Sequence, residues 1–373
     1  MDSRYQIEND AEVFSPALVF YKDLIRHNLE TALKIAGKAE RMRPHVKTHK
    51  TREIVAMELE AGVTKHKCAT IAEAEMLADC GAPDVLLAYP MVGPNCGRLA
   101  RLVKAFPQCR FSVIADHPKP LETLSQAMIA EQQEIDVLID VDVGQKRTGI
   151  APGAEAESLY ERIAKLPGVR PGGFHVYDGH NHQESRAERE RAVAQQLEPV
   201  LQMRANLERK GLPVPRMVLG GTPTFPIYAK MDLPGLECSP GTCFLHDNGY
   251  GTRFPDVEGF VPAALLLTRV VSRPAPNRLT LDLGYKAIAS DPPAGKRCLL
   301  PDLPDAKQIL QNEEHLVIET DQAERFAPGD SLFAVPTHIC PTCALHRFAY
   351  VVENGKVIDR WEIAARDRVL RVA

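Results

Sequence analysis

The sequence predicts an α/β protein, a (β/α)8 barrel over residues 14–250 followed by a C-terminal β domain over 251–373 that also takes in residues 1–13. Three observations predict it. Up to Tyr250, short β-branched runs alternate with amphipathic stretches that end in glycine or proline. Those runs are continuously apolar, as strands covered by helices on both faces are. After Tyr250 helical periodicity almost disappears, and strand-like runs are separated by Pro, Gly and Asp. Eight strand–helix units in roughly 230 residues match the size of a closed barrel. An open doubly wound sheet is the competitor, but no G-x-G-x-x-G follows any strand.

In chain order the barrel strands are "MRPHVK", "KCAT", "DVLLAYP", "FSVIAD", "IDVLIDVDVG", "GGFHVYDG", "MVLGG" and "LECSPG". Helical patterns lie between them, including "TREIVAMELEAG", "AEAEMLADCG" and "SRAERERAVAQQLEPVLQMRANLERKG". The last has the dense i,i+3 and i,i+4 charge pairing of a solvated helix face. In the β domain, "VPAALLLTRVVSRP", "RLTLDLGYKAIASD", "EEHLVIET", "DSLFAVP" and "AYVVENGKVIDRWEIAARD" read as strands. The Asn-Gly within "VVENGKVIDRW" predicts a hairpin. Glu313 to His315 is expected to be a turn. There is no internal repeat and no low-complexity segment.

Apolar residues at 45%, charged residues at 25% and a net charge of -4 fit a globular protein and give no electrostatic case for nucleic acid or an anionic membrane. No run of 18 apolar residues exists, and the acidic "MDSRYQIENDAEVF" has the character of neither a signal peptide nor a span. Nine cysteines, odd in number and irregular in spacing, read as reduced thiols of a cytoplasmic protein.

In a barrel, functional groups gather where strands end and loops begin. Lys47 ends the first strand, and Arg147 follows the fifth. Tyr177, Asp178, His180 and His182 follow the sixth, "GGTPT" (Gly220 to Thr224) the seventh, and "SPGT" (Ser239 to Thr242) the eighth. Small Gly/Ser/Thr loops after strands 7 and 8 are where barrels hold a phosphate, although each alone is also an ordinary turn. Lys47 is either half of a buried ion pair or a nucleophile. A phosphate cradle opposite a strand-end lysine points to pyridoxal 5'-phosphate, whose aldehyde forms a Schiff base with lysine. His45 and His49 are expected to shape the lysine's surroundings. Asp140 and Asp142 are expected to bond backbone, His66 and His315 to be structural, and Lys65 and Lys67 to be solvated.

A second cluster, "PTHICPTCALH", lies in the β domain. In an extended chain His338 and Cys340 would leave the same face roughly 6.5–7 Å apart. That suits two ligands of one metal with positions left open for water and substrate. The alternatives are a four-ligand site of His338, Cys340, Cys343 and His346, a Cys340/Cys343 redox pair, or a buried histidine with two ordinary thiols.

"RPHVKTHK", "DVDVGQKRTG", "GGTPT", "SPGT" and "THICPT" together resemble the D-threonine aldolase and D-serine dehydratase family, alanine-racemase-like pyridoxal phosphate enzymes of fold type III. The resemblance runs from about Phe14 to Ala365. It implies a cofactor-binding barrel, a C-terminal β domain with a divalent metal, a small-molecule D-amino acid substrate and a homodimer. Lys47 resembles the Schiff-base lysine, Arg147 the arginine at the cofactor ring, and Tyr177 the tyrosine beside it. Gly221, Thr222, Gly241 and Thr242 resemble the phosphate-binding residues, and His338 and Cys340 the metal ligands. Asp178 stands where the aldolase pattern has a histidine, which leaves His182 and His180 as alternative proton-transfer residues. Cysteine as second ligand favours zinc, whereas aspartate would favour manganese or magnesium.

The expected activity is retro-aldol cleavage of a β-hydroxy-D-amino acid to glycine and an aldehyde, with D-serine dehydration as runner-up. A 3-hydroxy-D-aspartate aldolase, an amino-acid racemase and a non-catalytic pyridoxal phosphate carrier are the further alternatives. A racemase has no use for the metal, and the carrier lacks the β domain.

Overall fold

The computed structural model describes residues 3–372. Met1, Asp2 and Ala373, which fall within the expected domain limits, lie outside the described residues. The chain divides into two compact units. One runs to Ala32 and includes Thr48–Ile54 and Thr242–Arg366; the other comprises Leu33–Lys47, Val55–Gly241 and the residues from Asp367 onward. No helix among the described residues is long and apolar enough to cross a membrane.

Strand β1 (Ala17–Tyr21) belongs to the first unit. The next seven strands form one parallel sheet in sequence order: β2 (Lys65–Cys68), β3 (Asp84–Leu87), β4 (Arg110–Ala115), β5 (Ile135–Asp140), β6 (Val169–Val176), β7 (Met217–Leu219) and β8 (Leu236–Cys238). The sheet closes through "MRPH", which makes parallel bridges from Met42 to Cys238 and from His45 to Lys67. Hydrogen bonds from Arg43 N–H to Cys238 O (2.9 Å) and from Val46 N–H to Lys67 O (2.9 Å) fix both seams. The expected first strand is therefore present but short, and Lys47 lies in the turn that follows it.

Every residue of β5 is buried, as the continuous apolar run requires of a strand with two covered faces. Inside the barrel, Leu86, Ile114, Leu138 and Val218 pack as one cluster, each contributing about 1.5–3 kcal/mol by burial. Near the strand starts, buried charges pair with one another. Arg43 meets Glu237 at 2.5 Å and Asp84 at 2.7 Å, and Arg216 meets Asp136 at 2.7 Å. This end is filled and satisfied, which leaves the C-terminal strand ends for chemistry.

The other unit holds a nine-stranded, mostly antiparallel sheet. Its further strands are β9 (Ala264–Ala275), β10 (Arg278–Leu281), β11 (Cys298–Leu299), β12 (Lys307–Gln311), β13 (Leu316–Glu319), β14 (Ser331–Pro336), β15 (Phe348–Glu353) and β16 (Lys356–Glu362). β1 is central, antiparallel to β9 and parallel to β15. The expected limits put this segment with the barrel at 14–250. "ALVFY" is a fully buried apolar run like the barrel strands, so its composition does not say which sheet it joins. The β15–β16 hairpin turns at Asn354 and Gly355, with φ of 51° and 76°, the left-handed pair that Asn-Gly supplies. Glu313 to His315 does form the turn between β12 and β13, closed by Asn312 N–H to His315 O at 2.9 Å.

Candidate active site

In the barrel unit the expected cofactor residues converge at the strand ends. Lys47 is half-buried, and its backbone N–H donates to His45 Nδ1 at 3.3 Å. Tyr177 leaves the end of β6, with the Arg147 guanidinium over its ring at 4.9 Å. Gly221 passes so close to that ring that an added Cβ would sit 3.2 Å from it, and one on Gly220 (φ +76°) would meet Tyr228 at 2.7 Å. Gly220, with its positive φ and close contact, needs glycine, whereas a side chain at Gly221 would have to push the tyrosine ring back by a few tenths of an ångström. The Gly241 N–H donates to Thr222 Oγ1 at 3.3 Å, which joins the two small loops. Small residues, backbone amides and hydroxyls beside a lysine and a tyrosine face are a donor set that fits pyridoxal phosphate.

Asp178, where the aldolase pattern has a histidine, is 1% exposed. It accepts hydrogen bonds from Thr224 Oγ1 (2.9 Å), Tyr228 OH (3.1 Å) and Asn181 Nδ2 (3.2 Å). Burial pushes its carboxyl up, against these bonds, which favour the charged form. Its place is to tie the β6 loop to the glycine loop.

The two candidate histidines differ. His182 is exposed. His180 is half-buried and held by Gln196 Nε2 at 3.0 Å from its Nε2, while its Nδ1 is buried with no hydrogen-bond partner among the described residues. Gln196 in turn donates to Asn181 Oδ1 at 3.0 Å, so the imidazole is braced through the Asp178 network.

Three expectations about charged residues change. Lys67, expected to be solvated, is 2% exposed. Lys65 is only partly exposed and pairs with Glu237 at 2.9 Å. Asp142 does bond backbone, accepting from the Gly144 and Lys146 N–H groups at 2.9 and 3.0 Å. Asp140 takes side chains instead, His175 Nδ1 and Thr148 Oγ1, both at 2.8 Å. Burial alone would raise the Asp140 carboxyl, and those bonds hold it below its ordinary value. His66 is structural as expected, buried against Glu58 at 3.2 Å.

In the β unit, His338 and Cys340 are adjacent but not on a strand. His338 is the N-cap of the helix Ile339–Leu345, and Cys340 lies in its first turn. Pro341 is tolerated so early because no intrahelical N–H bond is lost there. The carboxylate of Asp247 holds this start, accepting from Ile339 N–H at 3.1 Å and from Tyr250 N–H at 2.9 Å. His338 Nδ1 meets Asp291 Oδ2 at 2.5 Å. Hydrogen bonds to Cys340 and Asp291 outweigh burial and raise the histidine to about 9. Cys340 Sγ lies 3.2 Å from Thr48 Oγ1 and 3.5 Å from Thr242 Oγ1.

A carboxylate behind a histidine, with a thiol beside it, is the donor chemistry of a metal-binding pair with its outer support. Among the described residues no group of three His, Cys, Asp or Glu forms a complete cage. His346 is committed to Ala287 O at 2.7 Å, and burial holds Cys343 in its thiol form. The four-ligand alternative therefore loses two members. Asp291, Thr48 and Gln196 were not singled out by the sequence, and their only signal is three-dimensional.

Two sequence profiles match the chain: "Alanine racemase, N-terminal domain" over residues 22–244 and "Putative serine dehydratase domain" over residues 263–352. A D-threonine aldolase of Arthrobacter sp is 32% identical over 367 residues, 95% of this chain and 93% of that protein. A 3-hydroxy-D-aspartate aldolase of Paracoccus denitrificans is 28% identical, covering 96% and 94%. The crystal structure of a D-threonine aldolase from Filomicrobium marinum superposes with a TM-score of 0.87 at 29% identity, covering 95% of this chain and 96% of that one. With the fold and both residue clusters in hand, the chain belongs to the D-threonine aldolase and D-serine dehydratase family, pyridoxal phosphate-dependent lyases built on an alanine-racemase-like barrel and a second, β-sheet unit.

Proposed function

We propose that this lyase cleaves β-hydroxy-D-amino acids of the D-threonine type to glycine and an aldehyde, using a divalent metal as well as pyridoxal phosphate. The observation that carries the reading is the His338–Cys340 pair with Asp291 behind the histidine. Neither a racemase nor a cofactor carrier has a use for it. The D-threonine aldolases among the relatives favour the aldol route.

In this reading Lys47 holds the cofactor through its amine, and Arg147 and Tyr177 flank the ring. Gly221, Thr222, Gly241 and Thr242 receive the phosphate. When bound, the cofactor supplies an electron sink for charge developing at Cα. His338 and Cys340 hold the metal, a zinc, manganese or magnesium ion that supplies Lewis acidity toward the β-hydroxyl. His180, its ring held by Gln196, is the residue assigned to proton transfer at the hydroxyl; His182 is the alternative. The working assembly is a homodimer, and the compartment is the cytoplasm.

Dehydration of D-serine is the second reading, favoured by the soft thiol of Cys340 and by the profile matched at 263–352. The test is to incubate the holoenzyme with D-threonine and with D-serine, with and without chelator, following acetaldehyde and pyruvate. Acetaldehyde that disappears with chelator, and no pyruvate, is the expected result. Pyruvate alone overturns the aldolase in favour of the dehydratase, and activity indifferent to chelator overturns the metal.

A further inference from the structure

Strand alternation in β2 sends Lys65 and Lys67 to one face and His66 and Cys68 to the other. His66 meets Glu58 of the helix Arg52–Glu60, so the lysines point into the barrel. Lys65 pairs with Glu237. Lys67, one layer nearer the strand ends, is 2% exposed and reaches no carboxylate within ion-pair distance among the described residues. Its Nζ faces the Tyr177 ring, 6.0 Å from the centroid, at the outer limit of a cation–π contact. A buried cation without an acid is strongly disfavoured, so this amine is placed to meet an anion that the protein does not itself supply.

Which anion follows from the order of strands around the barrel. Neighbours run β7, β8, the closing segment that leads into Lys47, and then β2. Lys67 itself fastens the last seam, its N–H donating to Pro44 O at 2.8 Å and its carbonyl accepting from Val46 N–H at 2.9 Å. Pyridoxal phosphate carries three adjacent substituents in the same order: the phosphate arm on C5, the aldehyde on C4 and a hydroxyl on C3. With the phosphate in the loops after β7 and β8 and the aldehyde on Lys47, the C3 edge of the ring turns toward β2. We propose that Lys67 is a cofactor-binding residue, its ammonium donating a hydrogen bond to the ionised C3 oxygen of pyridoxal phosphate. The inference deepens the proposed function and rests on Lys47 and the two small loops holding the cofactor as stated there. The competing anion is the substrate's carboxylate. Lys67 lies within a strand and not in a loop, which suits a group held through every turnover over one that exchanges.

The charged groups around Lys67 agree with this. The acids whose charges reach it, Asp140 and Asp178, are committed elsewhere. Asp140 accepts from His175 and Thr148, and Asp178 from Thr224, Tyr228 and Asn181. From the closing segment come only like charges, Lys47 and Arg43. Buried His175 of β6 is pushed down by burial first, so it adds no anion. Arg147, from the loop after β5, brings a second cation to the same tyrosine ring. With no counter-anion, burial and then the charge of Lys47 bring Lys67 down to about 7. An anionic oxygen in contact favours the charged amine and restores its proton.

The experiment reads cofactor affinity and attachment separately. Borohydride reduction of the holoenzyme and peptide mapping test the underlying reading: cofactor on Lys47 is expected, and cofactor on another residue overturns that reading and the inference with it. The full-length protein stripped of cofactor is then reconstituted with pyridoxal phosphate and with its 3-deoxy analogue, and both dissociation constants are measured by equilibrium ultrafiltration. The unmutated protein should prefer pyridoxal phosphate by roughly tenfold or more, as a hydrogen bond to a charged group requires. Lys67→Met should lose most of that preference, binding pyridoxal phosphate roughly tenfold more weakly and the analogue at least as well as the unmutated protein does. Lys67→Arg, which keeps a cation, should retain the preference. Equal affinity of the unmutated protein for the two cofactors overturns the inference without any variant having to fold. A Lys67→Met protein that weakens both cofactors by the same factor also overturns it, with Lys47 attachment left standing. If Lys67→Met keeps the cofactor preference and raises KM for D-threonine instead, the anion is the substrate's carboxylate and the inference falls.

Discussion

At the barrel's strand ends Asp178 is buried and takes three side-chain hydrogen bonds that tie the β6 loop to the glycine loop, and the glycine loop bonds in turn to the loop after β8. In the β unit His338 and Asp291 have side chains 39% and 54% exposed and meet in a single hydrogen bond. The Asp178 network satisfies itself whether or not anything is bound, so the loops of that seat are preorganised. In the proposed reading the His338–Cys340 pair would supply two donors to a metal and leave the remaining coordination to solvent and substrate. On that proposal one site would hold a group permanently and the other would exchange ligands during turnover.

The largest effects should separate the two. Lys47→Ala should abolish covalent retention of the cofactor and lower kcat/KM by on the order of 10³-fold or more, while chelator-competition titration still finds the metal. His338→Ala should do the reverse. The holoenzyme keeps its visible absorbance from bound cofactor, metal affinity collapses, and activity falls by on the order of 10²- to 10³-fold, the several kcal/mol that a Lewis acid supplies. Loss of cofactor absorbance in His338→Ala would show that the two sites are not separable in function.

A smaller effect tests preorganisation in the barrel. Asp178→Ala leaves Tyr228 OH without its acceptor in a buried place, while Thr224 Oγ1 keeps Gly221 O and Asn181 Nδ2 keeps Gln196 Oε1. An unsatisfied donor costs about 1–3 kcal/mol, so a stability loss of that size in urea melts is expected, with weaker cofactor retention. Asp178→Asn, which keeps an acceptor, should lose less. Equal behaviour of the two variants would mean that the carboxylate does not organise the loops.

The two regions were also unequally legible in the sequence. All eight barrel strands stand out because a strand buried on both faces must be continuously apolar, and strand ends then indicate where polar residues collect. That route reaches Lys47, Arg147, Tyr177 and the glycine loops. It misses Lys67, because "KHKC" carries two charges in four residues and reads as solvated until the alternation and the neighbouring strand are known. In the β unit the pattern identifies the hairpin but not β1, whose apolar run fits either sheet. "THICPT" looks extended because proline usually breaks helices, yet Pro341 sits where a helix can begin. Asp291, 47 residues from His338, is joined to it by folding alone.

The finest test lies next to Lys47 in sequence. Thr48 Oγ1 is 3.2 Å from Cys340 Sγ, closer than Thr242 Oγ1 at 3.5 Å. Either atom of each pair can be the donor, but a metal-bound cysteine is a thiolate, and both hydroxyls then point their protons at sulfur. Thr48→Val keeps the branched shape and removes that donor, at a cost of about 1 kcal/mol for one hydrogen bond. That corresponds to roughly a fivefold weaker metal affinity in chelator competition, with cofactor absorbance unaffected. Thr242→Val should have a smaller effect on the metal because its contact is longer. If Thr48→Val leaves metal affinity unchanged while His338→Ala abolishes it, the cysteine is held by its helix alone, and the β-unit site is still more open than its hydrogen bonds suggest. If Thr48→Val costs more than tenfold, the pair is supported nearly as firmly as the barrel loops, and the contrast between the two sites narrows to the number of ligands.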